Sequence, residues 1–148
     1  MRRSWPAVVG LLLAAALVAC GSAGTGGGAG GGESSGSAVV IRDGDRELAR
    51  FDLAALQTLP QVDVDTPQSA GDQVQTGPTI RSVLDKAGVV DVTALRVEGR
   101  DPAQTLSAAD LSARPILAVT NRGTVKLTGA DLPTNRWVRD VTALVANP

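Results

Sequence analysis

Thr76-Gly77-Pro78-Thr79-Ile80-Arg81-Ser82-Val83-Leu84-Asp85-Lys86-Ala87-Gly88 is the stretch that decides the fold. Ile80, Val83, Leu84 and Ala87 recur at helical spacing and give one apolar face. Thr79 stands just before them, where a hydroxyl can accept a hydrogen bond from a first-turn N–H. Gly88 stands just after them, at the left-handed position where helices commonly stop. Thr76-Gly77-Pro78 reads as the lead into this helix, the best defined in the chain.

Working outward, the neighbouring segments read as short strands. Residues 38–42 are β-rich, Asp43-Gly44 is a hairpin signal, and 46–51 returns as a second strand. Asp52 suits the N-cap of a short helix that Pro60 ends, with Leu53, Leu56 and Leu59 on one side. Residues 61–65 alternate, which turns Val62 and Val64 inward and Asp63 and Asp65 to water. Read as a pair, Asp63 and Asp65 could offer a cation site, but the alternation alone explains them as a solvated strand face, which is the preferred reading.

Downstream, 94–98 is a strand with Leu95 and Val97 inward, and 99–102 is a turn. Ser107 and Asp110 resemble a capping box with Asp in place of Glu, opening one helical turn. Residues 115–120 and 124–127 read as a hairpin around Asn121-Arg122-Gly123. Residues 137–145 close the chain; their apolar residues cannot share one face, which calls for a bulge that shifts register near Arg139-Asp140. Many short strands without strict strand–helix–strand alternation predict an α+β domain over 38–148. Its sheet is mixed and partly layered, with two or three short helices.

The first 37 residues have a different composition. Arg2 and Arg3 precede an apolar run over 7–19, which has the length of a secretory signal and is shorter than the roughly 20 residues of a membrane span. Leu17-Val18-Ala19-Cys20 resembles the lipobox of bacterial lipoproteins. That resemblance implies cleavage after 19 and a diacylglyceryl thioether on Cys20, with membrane lipid as the partner of its acyl chains. An ordinary cleaved signal and an uncleaved anchor are the alternatives. Residues 21–37 hold 9 glycines in 17 and bury nothing, so a disordered tether is expected from 20 to 37. The chain is thereby placed at the cell membrane, lipid-anchored and extracytoplasmic.

Composition narrows the chemistry of the domain. It has no histidine, no tyrosine and no cysteine, because Cys20 is the chain's one cysteine. Ser–His and Cys–His nucleophile pairs and His/Cys zinc sites are therefore excluded. From 38 onward 12 Arg and Lys face 14 Asp and Glu without a block of either sign, and Phe51 and Trp137 are the aromatics. Nucleic-acid binding, which rests on clustered cations and stacking rings, is not expected. Glu98, Arg100 and Asp101 flank one turn and are expected to form local ion pairs. Arg100, Arg122 and Arg136 fall near loop ends and are the candidates for an anion- or ligand-binding patch. Trp137 reads as a core or half-buried anchor, with a ligand platform as the alternative.

The order of segments resembles the oxidoreductase molybdopterin-binding domain of the sulfite oxidase type, in its short stand-alone form. The resemblance runs from about 51 to 145. It rests on Phe51-Asp-Leu-Ala-Ala-Leu56, on Thr76-Gly77 before the helix, on the 95–101 strand and turn, and on Leu106-Ser-Ala-Ala-Asp-Leu111. The Asn121-Arg-Gly123 turn and Arg136-Trp137-Val138-Arg139-Asp140-Val141 complete it. Members hold molybdenum through a cysteine thiolate and use arginine, histidine and tyrosine around it and its oxyanion substrate; 38–148 supplies arginines but no cysteine, histidine or tyrosine. The segment before Arg136-Trp137 also departs, being Thr128-Gly-Ala-Asp-Leu-Pro133. The expectation is a membrane-tethered binding or interaction module without cofactor, metal site or catalytic residues, meeting a protein partner in the envelope. The alternative is a molybdopterin-dependent oxidoreductase or an accessory subunit of an envelope redox system.

Overall fold

The computed structural model describes residues 37–148. The signal over 1–19, Cys20 and the tether as far as 36 lie outside the described residues.

Nine strands and three short helices form an α+β fold. The strands are β1 (Ala38–Asp43), β2 (Arg46–Asp52), β3 (Gln61–Asp65), β4 (Val74–Pro78), β5 (Ala94–Glu98), β6 (Gln104–Ser107), β7 (Ile116–Val119), β8 (Val125–Thr128) and β9 (Ala143–Ala146). The helices are α1 (Leu53–Thr58), α2 (Ile80–Lys86) and α3 (Ala108–Ser112). A five-stranded mixed sheet has the order β2-β1-β9-β5-β6, in which only the β1–β9 pairing is parallel. β3–β4 and β7–β8 are separate antiparallel pairs.

α2 forms as its sequence dictates. The Thr79 hydroxyl accepts from the Ser82 N–H at 3.1 Å, and Ile80, Val83 and Leu84 are buried. At the other end Gly88 takes φ +82°, its N–H bonds to the Asp85 carbonyl, and the Val89 N–H bonds to that of Leu84. These two bonds satisfy carbonyls that the helix leaves unpaired. Asp52 caps α1 through the Ala55 N–H, and Ser107 and Asp110 make the reciprocal capping box of α3.

Thr76-Gly77-Pro78 is strand β4, not a mere lead into the helix. β4 crosses β7, with a bridge between Thr79 and Ile116, and Gly77 lies directly on the Leu117 backbone. A side chain at 77 would overlap the Leu117 carbonyl, so the glycine permits the crossing. The alternation of β3 holds, but Val62 and Val64 are only half-buried, because the hairpin lies at the margin of the core.

In place of the expected bulge near Arg139-Asp140 there is no strand over 137–142: Val138 makes one isolated bridge to Leu127, Asp140 takes φ +49°, and β9 begins three residues later. All four residues of β9 are buried between its two neighbours. Val39, Ile41, Leu95, Val97, Leu144 and Ala146 form the sheet's side of the core, against Leu56, Ile80, Val83, Leu84, Leu117 and Leu127. Four connections border one groove: the β3–β4 loop, the β5–β6 turn, the β7–β8 hairpin tip and the segment before β9.

Candidate functional site

The β7–β8 tip is built by local hydrogen bonding. Thr120 and Thr124 exchange a hydroxyl hydrogen bond of 2.8 Å, the Thr120 N–H donates to the Thr124 carbonyl, and Gly123 takes φ +70°. This is a three-residue hairpin loop with glycine in the left-handed position. It holds Asn121 and Arg122 out at the rim of the groove, both exposed.

Lys126 follows on β8, pointing away from the core between buried Val125 and Leu127. Its Nζ stands 5.2 Å from the centre of the Trp137 ring. The indole is half-buried against the core, and its Nε1–H donates to the Leu132 carbonyl at 2.8 Å. Burial pushes the Lys126 ammonium below its usual pKa, against a smaller upward pull from Asp72. The ring face offers the cation a favourable quadrupole in place of lost water.

The opposite wall is a locked crossing. Arg139 grips Asp101 side-on, Nη2 to Oδ1 at 2.7 Å and Nε to Oδ2 at 3.0 Å, and its backbone N–H adds a bond to Oδ2 at 2.8 Å. These bonds hold the Asp101 carboxyl down to about 2 and raise the Arg139 pKa further. Gly99 makes the approach feasible, since a side chain there would meet the Arg139 and Asp140 carbonyls and Val138. The expected ion pairs within 98–101 are replaced by others: Glu98 pairs with Arg96, Asp101 with Arg139, and Arg100 stands 3.8 Å from Asp140. Alternation sends neighbouring side chains of β5 and its turn to different faces, so longer-range partners are nearer.

The groove between these walls has a volume of about 810 Å³. Arg100, Arg122, Lys126 and Arg139 line it, with Asp72, Asp101 and Asp140 as the acidic groups. Its cations outnumber its anions, in a domain whose overall balance is the reverse. Amides and hydroxyls add polar lining, among them Gln75, Gln104, Asn121, Asn135, Thr124 and Thr134, beside apolar Pro102, Val119 and Trp137.

The three arginines singled out by the sequence do not converge. Arg100 and Arg122 line the groove and Arg136 does not. The Arg136 guanidinium bonds to both Asp110 oxygens, at 2.9 and 3.2 Å, and to the Thr105 carbonyl at 2.8 Å. It ties the 3-10 turn Thr134–Arg136 to the capping box of α3 and holds the Asp110 carboxyl near 2. Lys126 and Arg139 were missed by sequence reasoning. The signal for Lys126 was its outward position between two apolar residues of a strand, and for Arg139 its place two residues after Trp137. Asp63 and Asp65 are exposed, and the Thr76 hydroxyl donates to Asp63 at 2.6 Å, as a solvated strand face allows. Among the described residues no three acidic, histidine or cysteine side chains gather as a metal site.

Compared with known proteins, the chain matches no protein-family model and no curated protein.

Proposed function

We propose that the chain is a lipoprotein held on the extracytoplasmic side of a cell membrane by acyl chains on Cys20, and that 38–148 is a cofactor-free binding module. The groove is its binding site. One observation carries this reading: four cations, one of them seated over Trp137, line one groove against three carboxylates in a domain that is net acidic. Such a groove attracts an anionic group and holds it in a partly desolvated place where ion pairs gain strength. The tether over 21–37 would give the module a reach of roughly 20–25 Å from the membrane.

The fold belongs, in this reading, to the sulfite oxidase type in its short form. The order of sequence segments from about Phe51 to Val145 supports it. The molybdenum cofactor implied by that resemblance does not fit the residues present. Molybdenum in that family takes a soft thiolate, whereas the groove presents guanidinium, ammonium, amide, hydroxyl and carboxylate groups. No redox step is therefore assigned. The groove's one ring already carries Lys126, which leaves no row of stacking faces for a nucleic acid.

Membrane fractionation of Cys20→Ser beside the native chain tests the anchor. The native protein is expected in the membrane fraction and the variant in the soluble fraction, since two or more acyl chains are needed for stable anchoring. Equal retention of both would show that lipid on Cys20 is not what holds the chain.

A further inference from the structure

We propose that the groove receives an extended peptide segment bearing acidic side chains, presented by a protein partner. This rests on the groove being the binding site and names what enters it. Arg122 and Lys126 supply the charge. They lie on one hairpin, and neither has a carboxylate within ion-pair distance among the described residues. Lys126 is half-buried over an indole and feels Asp72 only from beyond ion-pair distance, so a carboxylate arriving beside it would give a desolvated ammonium a direct partner. The two other cations of the lining are already engaged, Arg139 with Asp101 and Arg100 loosely with Asp140.

The amides decide between a peptide and a small ion. Each side-chain amide can both donate and accept, which matches the N–H and C=O pair of a peptide unit. Asn121 on the hairpin tip and Asn135 in the 3-10 turn have exposed side chains with no hydrogen bond among the described residues. Gln75 and Gln104 each spend an N–H on a nearby carbonyl and keep the amide oxygen to accept. These four amides come from four different segments of the groove's lining: β4, β6, the β7–β8 tip and the 3-10 turn. A compact anion would need only the cations.

Openness points the same way. Small-molecule sites enclose about 70–90% of their ligand, and here the rim residues Asn121, Arg122, Thr134 and Asn135 are exposed. A chain lying along the groove can use a rim open to water, with its acidic side chains on Lys126 and Arg122.

The test uses the full lipidated chain in detergent micelles. Fluorescein-labelled capped peptides of about ten residues, each roughly 33 Å long when extended, carry four, two or no glutamates in a Gln/Ser background and are followed by anisotropy. The four-glutamate peptide is expected to bind and the uncharged one not to bind. Lys126→Gln and Arg122→Gln should each weaken binding about tenfold while melting like the native chain, and added salt should weaken it too. Binding of the acidic peptide left unchanged in both variants would place it elsewhere and overturn the proposal. Inorganic phosphate or free glutarate competing as strongly as the peptide at equal charge would overturn the peptide and leave the groove as an anion site. Absence of binding by peptide, phosphate and glutarate alike would overturn both the peptide and the groove as the binding site.

Discussion

The tripeptide Thr-Asn-Arg occurs twice, at 120–122 and at 134–136, and the two copies meet opposite fates. At the hairpin tip the first copy holds Arg122 out at the groove with no carboxylate in ion-pair range among the described residues. In the 3-10 turn the second copy turns Arg136 onto Asp110 and the Thr105 carbonyl, where its side chain is 29% exposed. Local sequence is the same, so the surroundings decide. The first copy is followed by a left-handed glycine that reverses the chain at once. The second follows Pro133 and leads into Trp137, whose anchoring fixes the direction in which Arg136 leaves the backbone. An arginine that finishes a network stabilises the fold, whereas one left at a rim is available to a ligand.

The framework that keeps the two apart gives the largest expected effect. Gly77 lets β4 cross β7, and the atoms a methyl group would meet are the Leu117 carbonyl and the Ala118 Cα. Backbone yields less readily than a side chain. Gly77→Ala should therefore cost about 3 kcal/mol in chemical denaturation, at the upper end of overpacking penalties. A loss under about 0.5 kcal/mol, the range of ordinary surface substitutions, would show that the crossing is loose and that the groove wall borne by β4 is adjustable.

The closed copy comes next. Asp110→Asn removes the charged acceptor of Arg136 and weakens the capping box, and about 1–2 kcal/mol is expected at neutral pH after allowance for partial exposure. The folded carboxyl titrates at about 2, below the ordinary 3.8. Its contribution is thus fully present above about pH 4 and is lost as pH falls toward 2. The gap in stability between native chain and variant should close over that same window in urea titrations at stepped pH. A gap that stays constant down to pH 2 would assign the loss to geometry rather than to charge.

Much of the fold was legible because the signals were local. Thr79 and Gly88 bounded α2, Ser107 and Asp110 capped α3, and Asn121-Arg122-Gly123 made its hairpin, each through contacts within a few residues. β4 was not legible. Its strand character comes from pairing with β3 and crossing β7, while Gly77 and Pro78 look like punctuation in isolation. The place of the last strand between β1 and β5 was likewise invisible, since no local pattern encodes which strand becomes central. For the groove, the sequence identified Arg100 and Arg122 as residues near loop ends and Trp137 as a half-buried anchor or ligand platform. It missed Lys126, whose strand position gave no hint of the indole opposite, and Arg139, whose partner Asp101 is distant in sequence. Arg136 was grouped with the others by its place in the chain, and Asp110 removed it from them.

The open copy gives the smallest effect on stability and the most direct check on the contrast. Arg122 is exposed, makes no ion pair among the described residues, and sits in a turn whose shape is set by Thr120, Gly123 and Thr124. Arg122→Gln keeps a long polar side chain and changes only the charge, so its denaturation midpoint should lie within about 0.5 kcal/mol of the native chain. Arg136→Gln, the same chemical change in the other copy, should cost about 1–3 kcal/mol, because it takes the charged donor from Asp110, which keeps only its Ser107 bonds, and from the Thr105 carbonyl. The pair of substitutions holds sequence context and chemistry fixed and varies only the surroundings. Equal losses at both positions would mean that Arg122 is bound into the fold as firmly as Arg136, and that the groove's rim belongs to the domain's own stabilising network rather than to a ligand.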